Sequence, residues 1–237
     1  MHCAKRAHDE DGVLKTNSTQ TSSTTPGAAD IGTAQHGRIG AGAVILAFGA
    51  NVAGRIGPPA TTIKWSVDEL ARRRIKMTAW SGFDRSMPMG PQGQPMFFNA
   101  VGSFSTPLSP PALLIVLKEL ERRAGRGGGL RWGPRPLDID IVDYKRVQHQ
   151  SPGWRTAGAP VRPLVIPHAG LAQRAFVLGP LARICPRWRH PVSGRGLREL
   201  SATLRAGRPP RPVKQKICKN LASKPQSRYA LALRRII

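Results

Sequence analysis

Arg131-Trp132-Gly133-Pro134-Arg135-Pro136-Leu137-Asp138-Ile139-Asp140-Ile141-Val142-Asp143-Tyr144 is the stretch around which the chain arranges itself. From Leu137 to Ile141 apolar and acidic residues alternate strictly, the period of a strand with one buried face. Leu137, Ile139 and Ile141 then point inward, and Asp138 and Asp140 share the other face with alpha carbons roughly 6.5 to 7 Å apart. Two carboxylates so placed can converge on one or two hard cations, and magnesium is usually held by one or two carboxylates together with nucleotide phosphates. Arg131 and Arg135 carry planar forks that suit phosphate oxygens, and Gly133-Pro134 makes the turn that delivers them. The combination reads as a phosphoryl-transfer site. A bare D-x-D is more often the solvated face of an antiparallel strand, but a solvated face requires no Trp, turn and paired arginines in fixed register.

Working outward, the chain of 237 residues has room for one ordinary domain with tails or two small ones. Its formal charge of +24 predicts attraction to polyanions such as nucleotides, nucleic acids or anionic surfaces. The three cysteines, Cys3, Cys185 and Cys218, are odd in number and lack C-x-x-C spacing, so neither a disulfide framework nor a zinc site is suggested and a cytoplasmic setting is expected. No run approaches the length of a membrane span and no signal segment is evident. Residues 1–40 are rich in Ser, Thr, Gly and Ala without hydrophobic period and are expected to be a disordered extension, or the product of a start codon set too early. Residues 206–237 carry nine basic and no acidic residues and read as a disordered basic tail. That leaves 41–205 as the catalytic domain.

Within it, Ala43 to Phe48 reads as a buried strand ending in the turn Gly49-Ala50-Asn51. A helix is predicted over about Thr61 to Arg74 with Ile63, Val67, Leu70 and Ala71 on one face, and a strand over Ile75 to Ser81. Ser86 to Pro95 is a Pro/Gly loop, and Phe97 opens a strand that reaches Ser105. Ser109-Pro110-Pro111 caps and starts a helix whose buried face holds Leu113, Leu114, Leu117 and Leu120. Residues Lys145 to Arg162 look irregular, and Leu197 to Leu204 is a short last helix. There is no P-loop, so phosphate binding falls to arginines and metal. Strand, helix, strand, strand, helix, strand is a ferredoxin-like α+β order.

The run from Arg131 to Asp140 resembles the signature of the 6-hydroxymethyl-7,8-dihydropterin pyrophosphokinase family, close to R-W-G-P-R-x-L-D-L-D. Weaker likenesses lie at Gly49-Ala50-Asn51, Phe97-Phe98-Asn99-Ala100, Gly125-Arg126 and Ile166-Pro167-His168 with Arg174 and Phe176. The resemblance implies a three-layer α/β/α sandwich with a mostly antiparallel sheet. It also implies ATP as co-substrate and two Mg2+ on Asp138 and Asp140. The pterin would be held by Phe97, Asn99, Phe176, Ser86 and Met87, with Asn99 suited because an amide both donates and accepts. ATP would be contacted by Glu121, Arg131, Trp132, Ile141, His168 and Arg174. Arg126 and Arg135 would neutralise charge as the pterin oxygen attacks the β-phosphorus and AMP leaves. A monomer is expected.

Two other readings fit particular features. The basic tail suits a nucleic-acid-binding protein, although the aromatics, 5% of the chain, offer no stacking platform. A relative with weakened activity would explain Arg55 at a position where the family commonly has an acid, and Gly127-Gly128-Gly129 where it carries charges.

Overall fold

The computed structural model describes residues 34–35, 40, 42–127, 132–154 and 162–207. Arg131, Gly128 and Gly129 lie outside them, as do nearly all of the two terminal extensions. The elements are β1 (Ala34–Gln35), β2 (Val44–Ala50), α1 (Pro59–Arg72), β3 (Lys76–Ser81), β4 (Asp84–Ser86), β5 (Phe97–Ser105), α2 (Pro110–Arg123), β6 (Asp138–Tyr144), β7 (His149–Trp154), β8 (Arg162–Ile166), α3 (Ala175–Ile184) and α4 (Leu197–Arg205). The main sheet runs β1-β3-β5-β2-β6 with β4 beside β5, and its pairings are antiparallel. The order β3-β5-β2-β6, with α1 and α2 as crossovers, is ferredoxin-like. Two residues of the first extension, β1, thus pair along β3.

β2 is apolar throughout because both of its faces are covered. Val44, Leu46, Phe48 and Ala50 join the core under α1 and α2, while Ile45 and Ala47 join a second core under α3 and α4. α1 buries Ile63, Val67 and Leu70, but Ala71 is exposed. It sits about 80° round the helix from Ile63, past the edge of the apolar stripe. α2 buries Leu113, Val116, Leu117 and Leu120 and leaves Leu114 partly exposed. Ser109 occupies the N-cap position without a side-chain cap bond; the start comes from Pro110, whose missing N–H needs no partner there.

Strict alternation on β6 ends at Ile141. Its pairing with β2 runs Asp138↔Gly49, Ile139↔Phe48, Asp140↔Ala47, Ile141↔Leu46 and then Asp143↔Ile45, so Val142 is an extra residue. This bulge turns both Val142 and Asp143 toward α3 and returns Tyr144 to the α1/α2 core. Asp143 accepts the Trp188 indole N–H at 2.7 Å, which fixes the chain after α3 to the sheet.

Within Lys145 to Arg162, expected to be irregular, His149–Trp154 is a strand that pairs antiparallel with Arg162–Ile166. His149 pairs with Ile166, Gln150 with Val165 and Ser151 with Leu164. The first strand of the pair, His-Gln-Ser-Pro-Gly-Trp, has no apolar alternation, and an irregularity between Ser151 and Trp154 breaks the register. β4 also lies in a segment too short and polar to announce a strand. α3 was masked by Gly179-Pro180, a pair that ordinarily argues against a helix interior, yet it buries Val177, Leu178, Leu181 and Ile184.

Candidate active site

The register of β5, β2 and β6 sets the site. Gly49 pairs with Asn99 on one side and with Asp138 on the other, so the three lie in one row across the sheet. Residues paired across a ladder share a face, and Phe97 and Asp140, two positions along their own strands, share it too. Asn99 and Asp138 are therefore two strand spacings apart, roughly 9.5 to 10 Å. Between them Gly49 has no side chain. A Cβ there would sit 3.7 Å from both Asn99 Oδ1 and the Phe97 ring, so the missing side chain leaves this floor open.

On the β6 side the acids are clasped by cations. Arg126 Nη1 lies 2.5 Å from both Asp138 Oδ1 and Glu121 Oε2, and Arg135 Nη1 lies 2.8 Å from Asp138 Oδ2. Arg174 pairs with Asp140, and His168 Nε2 stands 4.0 Å from the same carboxylate oxygen. Burial works against the charge on Asp138, but Arg126 and Arg135 outweigh it and hold the carboxyl below its ordinary pKa. Burial, with the neighbouring Asp138, pushes Glu121 up against the opposing pull of Lys118 and Arg126. Burial also lowers His168, with Arg174 adding to it against the pull of Asp140. Its Nδ1 accepts the Gly170 N–H at 3.0 Å, so the neutral ring carries its proton on Nε2, toward Asp140.

The β5 side is apolar and amide-lined. The Asn99 Nδ2 group donates to Ser86 Oγ at 2.9 Å and to the Phe97 carbonyl at 3.4 Å. With its hydrogens used inside the protein, the amide offers Oδ1 to a ligand. Beside it opens a cleft of about 490 Å3 lined by Ser86, Met87, Met89, Gln173 and Phe176, among others. Phe97 and Asn99 adjoin this cleft through Ser86 and do not line it. Arg174 lies over the Phe176 ring at 5.8 Å, linking the two sides. α3 is held over the sheet by Arg183, which pairs with Asp84 at 2.9 Å and donates to the Ser81 carbonyl.

Of the expected residues, the fold gathers Asp138, Asp140, Arg126, Arg135, His168 and Arg174 into one cluster, and Ser86, Met87 and Phe176 into the cleft. Two of the residues expected at ATP have buried side chains. Glu121 is 2% exposed, its carboxylate taken up by Arg126, by Lys118 and by the Ile139 N–H at 2.9 Å. It supports Arg126 from beneath. Ile141 is 5% exposed in the α1/α2 core, because alternation on β6 turns it away from Asp140; only its main chain, on the edge strand, faces outward. Trp132 is 44% exposed with φ of +66°, beside the site. Arg131 lies outside the described residues. Sequence reasoning missed Asn51 and Lys118. The Asn at the end of β2 could have been suspected from its turn, whereas Lys118 gave no signal beyond its place one helical turn before Glu121.

The carboxylates fit a magnesium site by their chemistry. They are hard oxygen donors on one strand face, each about a quarter exposed. Among the described residues no group of three or more His, Cys, Asp or Glu is gathered as a closed cage, and an ion that shares phosphate oxygens and keeps waters needs none. A ferredoxin-like sandwich that sets paired acids and a cluster of arginines beside a cleft walled by Met87 and Phe176 is that of a phosphoryl-transfer enzyme acting on a small flat acceptor. The family model for 7,8-dihydro-6-hydroxymethylpterin-pyrophosphokinase matches residues 45–186, and the chain belongs to this family. It is 38% identical over 160 residues to the 2-amino-4-hydroxy-6-hydroxymethyldihydropteridine pyrophosphokinase of Pseudomonas aeruginosa, covering 67% of this chain and 90% of that protein. It is 36% identical over 160 residues to the Methylorubrum extorquens protein of the same name, covering 67% and 91%. The mitochondrial folate synthesis bifunctional protein of Arabidopsis thaliana is 34% identical over 165 residues, 70% of this chain and 26% of that protein.

Proposed function

We propose that the row Asn99–Gly49–Asp138 is where this chain carries out its family's reaction, the ATP-dependent transfer of diphosphate to 6-hydroxymethyl-7,8-dihydropterin in folate biosynthesis. The observation that carries this is the strand register, which puts an amide acceptor and a metal-type carboxylate on either side of an open glycine floor. The pterin lies against Phe97, with Phe176 closing its other face, and Asn99 Oδ1 accepts from an N–H of the ring edge. Ser86 and Met87 line the pocket. The pterin hydroxymethyl oxygen attacks the β-phosphorus and gives up its proton to water; the new P–O bond forms as the bond to the α-phosphate oxygen breaks, and AMP leaves.

Arg126, Arg135 and Arg174 turn from Asp138 and Asp140 to phosphate oxygens, where their forks offset charge that grows in the transition state. His168 donates its Nε2 hydrogen to the same group, and Arg131 and Trp132 border the nucleotide. Glu121 keeps Arg126 in place. Magnesium, two ions in this reading, would be held by Asp138 and Asp140 and would offset the charge of the triphosphate. Positioning and charge do most of the work, without a covalent intermediate. Residues 41–205 form the catalytic unit, acting as a monomer in the cytoplasm. Among the described residues no helix is long and apolar enough to cross a membrane.

The test is Asp140→Ala in an assay of AMP release with hydroxymethyldihydropterin and Mg-ATP. A loss of roughly 10² to 10³ in kcat is expected. Release near the wild-type rate would remove Asp140 from the site.

A further inference from the structure

The segment between β4 and β5, Met87 to Met96, has little to bury. Met87, Met89 and Met96 are 71%, 59% and 42% exposed, so its place is not set by a hydrophobic anchor. It is set by two amides. Asn51, 3% exposed at the end of β2, donates from Nδ2 to Gln94 Oε1 and to the Pro95 carbonyl, both at 3.2 Å. Its Oδ1 accepts the Arg135 N–H at 2.7 Å, and its own N–H donates to the Arg135 carbonyl at 3.0 Å. Gln94 in turn donates from Nε2 to the Trp132 carbonyl at 2.9 Å and to the Pro91 carbonyl at 3.2 Å. Gly90 lies so close to this turn that a Cβ on it would fall 2.2 Å from the Trp132 carbonyl oxygen. One end of the loop leads to Ser86 and the other to Phe97, both on the pterin side. The turn it is tied to carries Arg135 into Asp138, on the phosphate side.

We propose that Asn51 and Gln94 are positioning residues for the transfer: their bonds fix the pterin-side loop against the arginine turn and so set the acceptor oxygen relative to the β-phosphorus. Neither side chain meets a substrate in the arrangement described above. This rests on that arrangement, and it makes a separate claim about where a kinetic loss appears. If the clasp only aligns two bound substrates, breaking it lowers kcat and leaves each substrate's own affinity in place.

The experiment uses the full chain with Gln94→Glu, which keeps an acceptor for Asn51 and removes both Nε2 donations, and Asn51→Ala, which removes the three side-chain bonds of Asn51. Binding of hydroxymethyldihydropterin and of a non-hydrolysable Mg-ATP analogue is measured separately, alongside kcat for AMP release and thermal unfolding. Gln94→Glu is expected to lower kcat about ten- to a hundredfold, with both dissociation constants within about threefold of wild type and an unchanged melting temperature. The double variant should be no slower than the slower single one, because the two residues act as a unit. An unchanged kcat in Gln94→Glu overturns the proposal. So does a loss that appears in pterin affinity, since that would make the loop a binding wall, and so do losses that multiply in the double variant. If Asn51→Ala fails to fold, Gln94→Glu decides the matter by its split between kcat and affinity. Absence of AMP release in the wild-type chain would instead count against the reaction assigned to the site.

Discussion

On the proposed reading, Asn99 and Phe176 divide recognition of the acceptor between them. Asn99 is held by β5 and by its bond to Ser86, so in that role it would read a ring edge by a fixed acceptor. Phe176, at the start of α3, is partly exposed and offers area. Stacking of a heteroaromatic ring on an aromatic side chain is worth about 1 to 3 kcal/mol. Phe176→Ala should therefore weaken pterin binding about five- to a hundredfold, measured by fluorescence titration, while Mg-ATP affinity stays put. Unchanged pterin affinity would remove the stacking role. At this scale the residues proposed to meet ligand are legible in the sequence because their chemistry is in their side-chain type. Those that hold others are not. Glu121 is a surface position by composition and buried by geometry, since the fold sets α2 against β6 and leaves the Ile139 N–H to be satisfied.

At the scale of elements, α1 and α2 are joined by an ion cluster that no local pattern shows. Glu69 on α1 takes Arg72 and Arg73 from its own helix, at 2.6 and 2.5 Å, and Arg123 from α2 at 2.6 Å. Arg123 also lies over the Trp65 ring at 5.1 Å. Burial opposes the charge, but the three guanidinium groups outweigh it and lower the Glu69 carboxyl to a pKa of about 2. A carboxyl depressed on folding stabilises the native state above its unfolded pKa of 4.5 and loses that contribution as pH falls toward 2. Glu69→Gln should cost about 3 kcal/mol in urea unfolding at pH 7, and the gap to wild type should narrow between pH 4.5 and 2. A constant gap would show that the cost is packing. The helices themselves were readable from Ile63, Val67, Leu70 and Leu113, Leu117, Leu120, because burial on one face imposes a 3.6-residue period. β7 was not, since its residues are set by pairing with β8 and bear no core period of their own, whereas β8 sends Leu164 and Ile166 into the first core.

For the whole molecule, the order of the central strands and helices could be read along the chain, but the row that makes the site could not. Gly49, Asn99 and Asp138 lie in three segments separated by about 40 to 50 residues each, and only register brings them level. The charge of +24 belongs to this scale as well. Many arginines of the described part are paired with acids, both in the site and away from it, whereas residues 208–237 contribute basic residues with no acid among them. Removing 208–237 should leave AMP release within about twofold of wild type and shift elution from a heparin column to lower salt. A large loss of AMP release would bring the tail into the reaction.

The extra residue at Val142 acts as a change of phase along one strand. Ahead of it, odd positions of β6 belong to the first core and even positions to the open face; after it the parities exchange. The site and the closing contact at Trp188 can therefore sit on the same side of the sheet while the strand still delivers Tyr144 to the opposite core. Paired without the bulge, the same residues would alternate strictly through Val142, and Asp143 would point into the first core while Tyr144 left it. What this strand encodes is as much a count as a composition.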